Sequence, residues 1–264
     1  MSIEIRIDSV IANGVSGPEA AAINLIYEVL LNKYSQTAYR FVVVNQIGDD
    51  LDEVIVKNGK EIYVNVRIPS PENFGKMTDF EKNKIRLKVL HSGLLRIAQK
   101  EQKLDVAILE KIKSEVLKKK FQFRFVRKQF VHSKNKNLIA ELVVEPQTQK
   151  FDYFIRVTEN EYERCRHLIY SGTTSVFYEK ELFGVGKWKS PDWFILTGKR
   201  YEVSFHMHIN ECNLEVVNIS DYEIPPFYEM FKAGTSNEKR KKARDNYLHS
   251  LPPVISAVIR KADN

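Results

Sequence analysis

Lys118-Lys119-Lys120-Phe121-Gln122-Phe123-Arg124-Phe125-Val126-Arg127-Lys128 is the stretch in which the periodicity of this chain changes. Upstream of it, apolar residues recur every three or four positions: Leu87, Leu90, Leu94 and Ala98, then Ile108, Leu109, Ile112 and Val116. That spacing belongs to helices that bury one face. From Phe121 the period is two, with Phe121, Phe123 and Phe125 on one side and Gln122, Arg124, Val126 and Lys128 on the other. A half-buried strand alternates in this way. The change therefore places a helical hairpin directly before a run of strands.

Thr78 and Asp79 are expected to open the first helix of the hairpin, which runs to about Gln99, and Asp105 the second, to about Lys119. His91 lies on the apolar stripe between Leu87 and Leu94 and reads as a boundary histidine satisfied by its neighbours. Toward the N-terminus, Ser16-Gly17-Pro18-Glu19 predicts a helix start with a capping box, followed by the stripe Ala22, Ile23, Ile26, Leu30 and Tyr34. A strand is expected over Tyr39–Val44, and a hairpin around Lys57-Asn58-Gly59-Lys60. Asp49, Asp50, Asp52 and Glu53 cluster beforehand without the spacing of a calcium loop, and read as solvated loop charge.

Toward the C-terminus, strands are expected at Leu138–Val144, Phe151–Val157, Ser175–Tyr178, Trp193–Leu196, Tyr201–Ile209 and Leu214–Ile219, and a short helix at Glu159–Leu168. Helices at about Asn237–Ser250 and Pro253–Ala262 close the chain. Strands grouped in blocks, without regular strand–helix alternation, predict an α+β fold with mixed or mainly antiparallel sheets, a central helical hairpin and C-terminal helices. Pro69-Ser70-Pro71 and Gly75 interrupt the pattern. An N-terminal α+β portion is thus expected over 1–75. The basic hairpin, strand-rich portion and C-terminal helices follow over 76–264, as a second portion or as one continuous domain.

Composition sets outer limits. The 264 residues are 43% hydrophobic and 28% charged, ample for a real core and unlike a disordered chain. No apolar run approaches the ~18 residues of a membrane span. Met1-Ser2-Ile3-Glu4-Ile5-Arg6-Ile7-Asp8 alternates like a strand and lacks the pattern of a secretory signal. Two cysteines, Cys165 and Cys212, do not make a disulfide framework, so the expectation is a cytoplasmic protein with reduced thiols.

Charge is the more informative quantity. Residues 1–80 carry a net −4, residues 81–136 a net +12 and residues 137–264 a net −1, so the whole excess of +7 sits in the middle segment. Lys111, Lys113, Lys118, Lys119, Lys120, Arg124, Arg127, Lys128, Lys134 and Lys136 form a basic run opposed within it only by Glu115. Such a run can engage a polyanion, because each cation near a phosphate releases a condensed counterion. It can also be a merely solvated face, with the Phe row buried beneath it. A second run, Lys239-Arg240-Lys241-Lys242 with Arg244, falls in the helix expected at about Asn237–Ser250.

Two further constellations carry chemistry. Asp192, at the start of one strand, and Glu202, on the next, are carboxylates of the kind that hold Mg²⁺. Pro191-Asp192 through Ser204 bears a partial resemblance to the PD-(D/E)xK nuclease motif. The resemblance covers about a dozen residues, implies a metal-dependent nuclease, and places Ser204 where that motif has its lysine, with His206 as a substitute. His206 and His208 share a strand face and could bridge a metal with Glu211 or Cys212 beyond the turn; Cys165 and His167 form another pair. Phe183-Gly184-Val185-Gly186-Lys187-Trp188 lacks the spacing of a phosphate loop.

The leading expectation is a non-enzymatic protein whose basic surface at 111–136 binds nucleic acid or an acidic protein, without a cofactor. The alternatives are a divergent nuclease using Asp192 and Glu202 with Mg²⁺, and a toxin-neutralising or defence-associated interaction partner.

Overall fold

The computed structural model describes residues 3–11, 14–34, 39–172, 183–198 and 203–218, with the isolated positions Ser236, Glu238, Lys242 and Asn246. Within these residues the α+β expectation holds: three four-stranded sheets accompany three α-helices, and the helices lie in the first half of the chain. The strand expected at 175–178 lies outside the described residues, as do the C-terminal helices apart from those isolated positions. No helix of the described residues is long and apolar enough to cross a membrane.

The first sheet contains β1 (Glu4–Ser9), β2 (Phe41–Ile47), β3 (Ile55–Asn58) and β4 (Glu61–Arg67), in the order β1-β2-β4-β3. β1 and β4 run parallel to β2, and β3 pairs antiparallel with β4 around Gly59, whose φ of 58° suits the expected Asn-Gly turn. Register aligns Ile5, Val42 and Ile62 in one row and Ile7, Val44 and Val64 in the next, all buried. α1 (Ala21–Tyr34) packs on β1, and α2 (Asp79–Glu101) packs on β2 and β4. A Cβ at Gly93 of α2 would stand 2.5 Å from Val44 Cγ1 and 3.1 Å from Val64 Cγ1, so glycine permits this close helix–sheet approach.

Thr78 caps α2 with the reciprocal Glu81 box, and Asp105 caps α3 (Val106–Lys118) through the amides of Ala107 and Ile108, both starts as expected. α1 starts differently. A 3-10 turn at Pro18–Ala20 precedes it, Gly17 is the cap, and no side chain caps the turn. Glu19 instead reaches Arg86 Nη2 at 2.6 Å, because a buried guanidinium needs a counter-charge more than an exposed helix end needs a cap.

The second sheet is a meander of β5 (Phe125–Val131), β6 (Leu138–Pro146), β7 (Phe151–Glu159) and β8 (Tyr162–Gly172). The helix expected at 159–168 is thus corrected to a strand. Asn160 and Glu161 have φ of 50° and 70°, the two left-handed residues of a primed hairpin turn, and β8 is an edge strand with much of its length exposed. Glu163, Arg164 and Arg166 decorate this edge strand and hide the alternation.

The third sheet, in the order β12-β11-β10-β9, is antiparallel throughout: β9 (Val185–Ser190), β10 (Trp193–Thr197), β11 (Val203–His208) and β12 (Asn213–Asn218). β9 was not expected. Its inward positions include Gly186, where a Cβ would stand 2.5 Å from the Phe130 ring, so no apolar side chain marks the strand there.

Packing divides the chain into two units. One holds the described residues of Met1–Arg127, Val143–Tyr153 and Tyr170–Ser175; the other holds those of Lys128–Leu142, Phe154–Ile169 and Val176–Asn264. In the second unit Cys165 of β8 and Cys212, in the turn before β12, form a disulfide, contrary to the expectation of free thiols. They lie 47 residues apart, and reading 159–168 as a helix conceals their approach.

Candidate functional site

Within the first unit, the end of α3 and the chain leaving it border a cavity of about 650 Å³. Lys118, Lys119, Lys120 and Arg124 line it from this segment, and Lys33 lines it from α1 beside Val29 and Leu30. One carboxylate, Glu115, faces these five cations in the lining. The cluster forms because α3 ends in a Schellman turn, with Lys120 N–H donating to Leu117 O and Phe121 N–H to Val116 O. Lys120 and Phe121 consequently have φ of 50° and 65°. Glycine is the residue most often found at the first of these positions, since a Cβ there costs about 1 kcal/mol or more.

Glu115 is already engaged. It accepts a hydrogen bond from the Tyr34 hydroxyl at 2.9 Å and pairs with Lys119 at 3.0 Å. Burial pushes its carboxyl up, but the contacts to Lys119 and Tyr34 outweigh this and hold it below the ordinary range. Arg124 pairs with Glu145 at 2.6 Å, and the Lys119 ammonium stands 4.8 Å from the centre of the Phe123 ring. Among the described residues, Lys118 and Lys120 form no ion pair with a carboxylate, and Lys33 acts on Glu115 only through attraction at longer range. The three phenylalanines are 7–8% exposed, so they floor the segment and are not free to stack on bases.

The remaining basic residues are placed differently. Lys111 stands 4.3 Å from the centre of the Tyr34 ring, and Lys113 pairs with Glu110 at 3.5 Å. Arg127 is half-buried in β5. Lys128, Lys134 and Lys136 belong to the second unit, where Lys128 donates to the carbonyls of Phe183 and Gly184 and the other two are exposed in the β5–β6 link. The basic run near the C-terminus lies outside the described residues, Lys242 apart. Lys33 is the contribution that sequence reading missed, because its only signal was a helical spacing that also fits ordinary surface.

Asp192 is exposed in a turn, and its carbonyl accepts from Ile209 N at 2.8 Å, at the end of β11 remote from Val203. Glu202 lies outside the described residues. His206 is buried, with Nε2 and the Ser204 hydroxyl 2.9 Å apart, and burial pushes its pKa down while Glu215 opposes the shift. His208 stacks on Trp193 at 5.7 Å, and the same indole lies 5.9 Å from the His206 ring. Among the described residues, the ligand-type side chains that do converge are Cys165, His167 and Cys212, with the two cysteines joined in the disulfide.

Other charged groups serve the fold. Glu53 accepts from Arg67 N at 2.8 Å and pairs with Arg96, so one member of the acidic cluster is structural. His91 has both nitrogens occupied: Tyr27 hydroxyl lies 2.7 Å from Nδ1, and Glu110 lies 2.8 Å from Nε2. No protein-family model, characterised protein or solved structure matches the chain.

Proposed function

We propose that this chain is a non-enzymatic binding protein that takes up the phosphate backbone of a nucleic acid at the Lys33–Lys118–Lys120 cavity. The observation that carries the reading is the left-handed Lys120 within that cavity. A lysine occupies a position that glycine would fill at lower conformational cost, and it is one of five cations in a site with a single, already paired carboxylate. Recognition would be electrostatic and indifferent to sequence, because the phenylalanines that could read bases are buried. The nuclease reading lacks support of this kind: Glu202 lies outside the described residues, and Asp192 is exposed in a turn at the end of β11 remote from Val203.

Fluorescence anisotropy with short single- and double-stranded DNA and RNA tests the reading. If Lys33, Lys118 and Lys120 each neutralise a phosphate, affinity is expected to fall roughly 40-fold between about 50 and about 200 mM salt. Lys118→Glu with Lys120→Glu is expected to abolish binding, whereas Lys134→Glu with Lys136→Glu, in the other unit, is expected to leave it unchanged. Absence of binding at low salt overturns the nucleic-acid reading and leaves an acidic protein surface as the next partner to try. Mg²⁺-dependent cleavage products would overturn the non-enzymatic part.

A further inference from the structure

We propose that Cys165, His167 and Cys212 form a redox-switched zinc site, closed as a disulfide when oxidised and open to Zn²⁺ when reduced. Cys165 and His167 are two residues apart on β8, so their side chains leave the same face of the strand. Cys212 enters from the β11–β12 turn, with its Cα 5.3 Å from that of Cys165. The ligand-bearing atoms of all three residues lie within 4.8 Å of one another. His167 Nε2 is 3.6 Å from Cys212 Sγ. In a tetrahedral zinc site, metal–sulfur and metal–nitrogen bonds of about 2.3 and about 2.1 Å put such atoms about 3.5 Å apart. That separation already exists before any metal arrives.

Opening the site requires the two sulfurs to move from bonding distance to about 3.8 Å, the edge of the same tetrahedron. Cys212 can supply the movement, because it is exposed and sits in a turn. As the exposed residue of the pair, beside the buried Cys165, Cys212 is also the one a thiolate would attack. A dithiol reductant forms a mixed disulfide with Cys212 and displaces the Cys165 thiolate. The second thiol then closes the reductant's own disulfide and releases Cys212. Two electrons and two protons pass to the protein, and Zn²⁺ binding afterwards releases the two thiol protons.

The imidazole also changes partner. His167 Nε2–H now donates to the Cys212 carbonyl at 2.6 Å. Binding zinc through Nε2 shifts the proton to Nδ1 and breaks that hydrogen bond. Two thiolates and one imidazole suit zinc over harder cations, and leave a fourth position for water. The expectation of a reducing compartment and the observed disulfide then describe two states of one site.

The test uses the full chain reduced by a trialkylphosphine, which becomes the phosphine oxide as water supplies its oxygen and the two thiol protons. After desalting under argon, the chain is titrated with Co²⁺ as a coloured substitute for zinc. One equivalent is expected to produce thiolate-to-cobalt charge transfer and the d–d bands of a tetrahedral site, and one equivalent of Zn²⁺ to erase them. The oxidised chain should show neither. His167→Ala keeps the disulfide and hence the oxidised fold. Once reduced, it is expected to bind Co²⁺ more than about 10-fold more weakly, since even outer-shell changes at metal sites bring losses of that order. Absence of the bands from the reduced chain overturns the proposal, whether or not its fold persists. So does binding that His167→Ala leaves unchanged. Neither result bears on nucleic-acid binding in the other unit.

Discussion

Lys120 combines a backbone cost with a chemical gain, and the two can be separated by a single substitution. Lys120→Gly removes the left-handed penalty and one cation together. It is expected to raise stability by about 0.5–1 kcal/mol while weakening nucleic-acid binding, as read by denaturant unfolding and by anisotropy. A purely solubilising lysine would show the first effect without the second. Gln46, fully buried, carries the opposite lesson. Its amide oxygen accepts from Val15 N at 2.9 Å and Ser9 Oγ at 3.1 Å, while Nε2 donates to Ile68 O at 2.7 Å. Gln46→Leu would strand a buried amide and a carbonyl, and is expected to cost about 2–4 kcal/mol in denaturant unfolding. Nothing in a single sequence distinguishes this glutamine from one on a surface.

At the scale of elements, α2 is held to the first sheet by contacts that tolerate little change. Gly93→Ala adds a methyl within 3 Å of Val44, a β-branched residue on a central strand that cannot swing aside. The helix gains up to ~1 kcal/mol in propensity, but overpacking costs ~1–3 kcal/mol, so a net destabilisation is expected from circular dichroism melts. The α1–α2–α3 contact also carries a pH dependence. Burial pushes His91 below its ordinary value, against the pull of Glu110, so the folded state binds fewer protons than the unfolded chain below about pH 6.5. Stability from this group is present near neutrality and is lost as pH falls through that window. His206, lowered for the same first reason, acts in the same direction. The melting temperature is therefore expected to drop between about pH 7 and about pH 5, before carboxylates protonate, and His91→Gln should flatten part of that slope.

For the molecule as a whole, both indoles and the disulfide lie in one of the two units. Trp188 and Trp193 both belong to the second unit, so indole fluorescence reads the surroundings of these residues there. The disulfide closes a long loop there, and by chain entropy it stabilises by up to about 4 kcal/mol. Cys212→Ser is expected to lower the fluorescence-detected unfolding midpoint accordingly.

Periodicity and punctuation were enough to locate α2, α3 and the strand-rich half, because a helix or strand that buries one face must repeat its apolar residues with its own period. Thr78 and Asp105 were legible as caps for an equally local reason. The α+β class and the alternate burial of Phe121, Phe123 and Phe125 followed from the same signals, although β5 begins only at Phe125 because the left-handed turn at Lys120 and Phe121 comes first. β8 reads as a helix and β9 leaves no strand signal, because an exposed edge and a glycine beneath a phenylalanine ring remove the alternation that marks a strand. The basic run was visible as charge. Its division between two units, the contribution of Lys33 and the left-handed Lys120 were not, since these depend on how α3 ends and on what α1 presents to it. Cys165, His167 and Cys212 were individually noted, yet their convergence is a matter of strand pairing across dozens of residues. Local order lies in the sequence of near neighbours; a site made from distant segments exists only once burial of the apolar faces has brought those segments together.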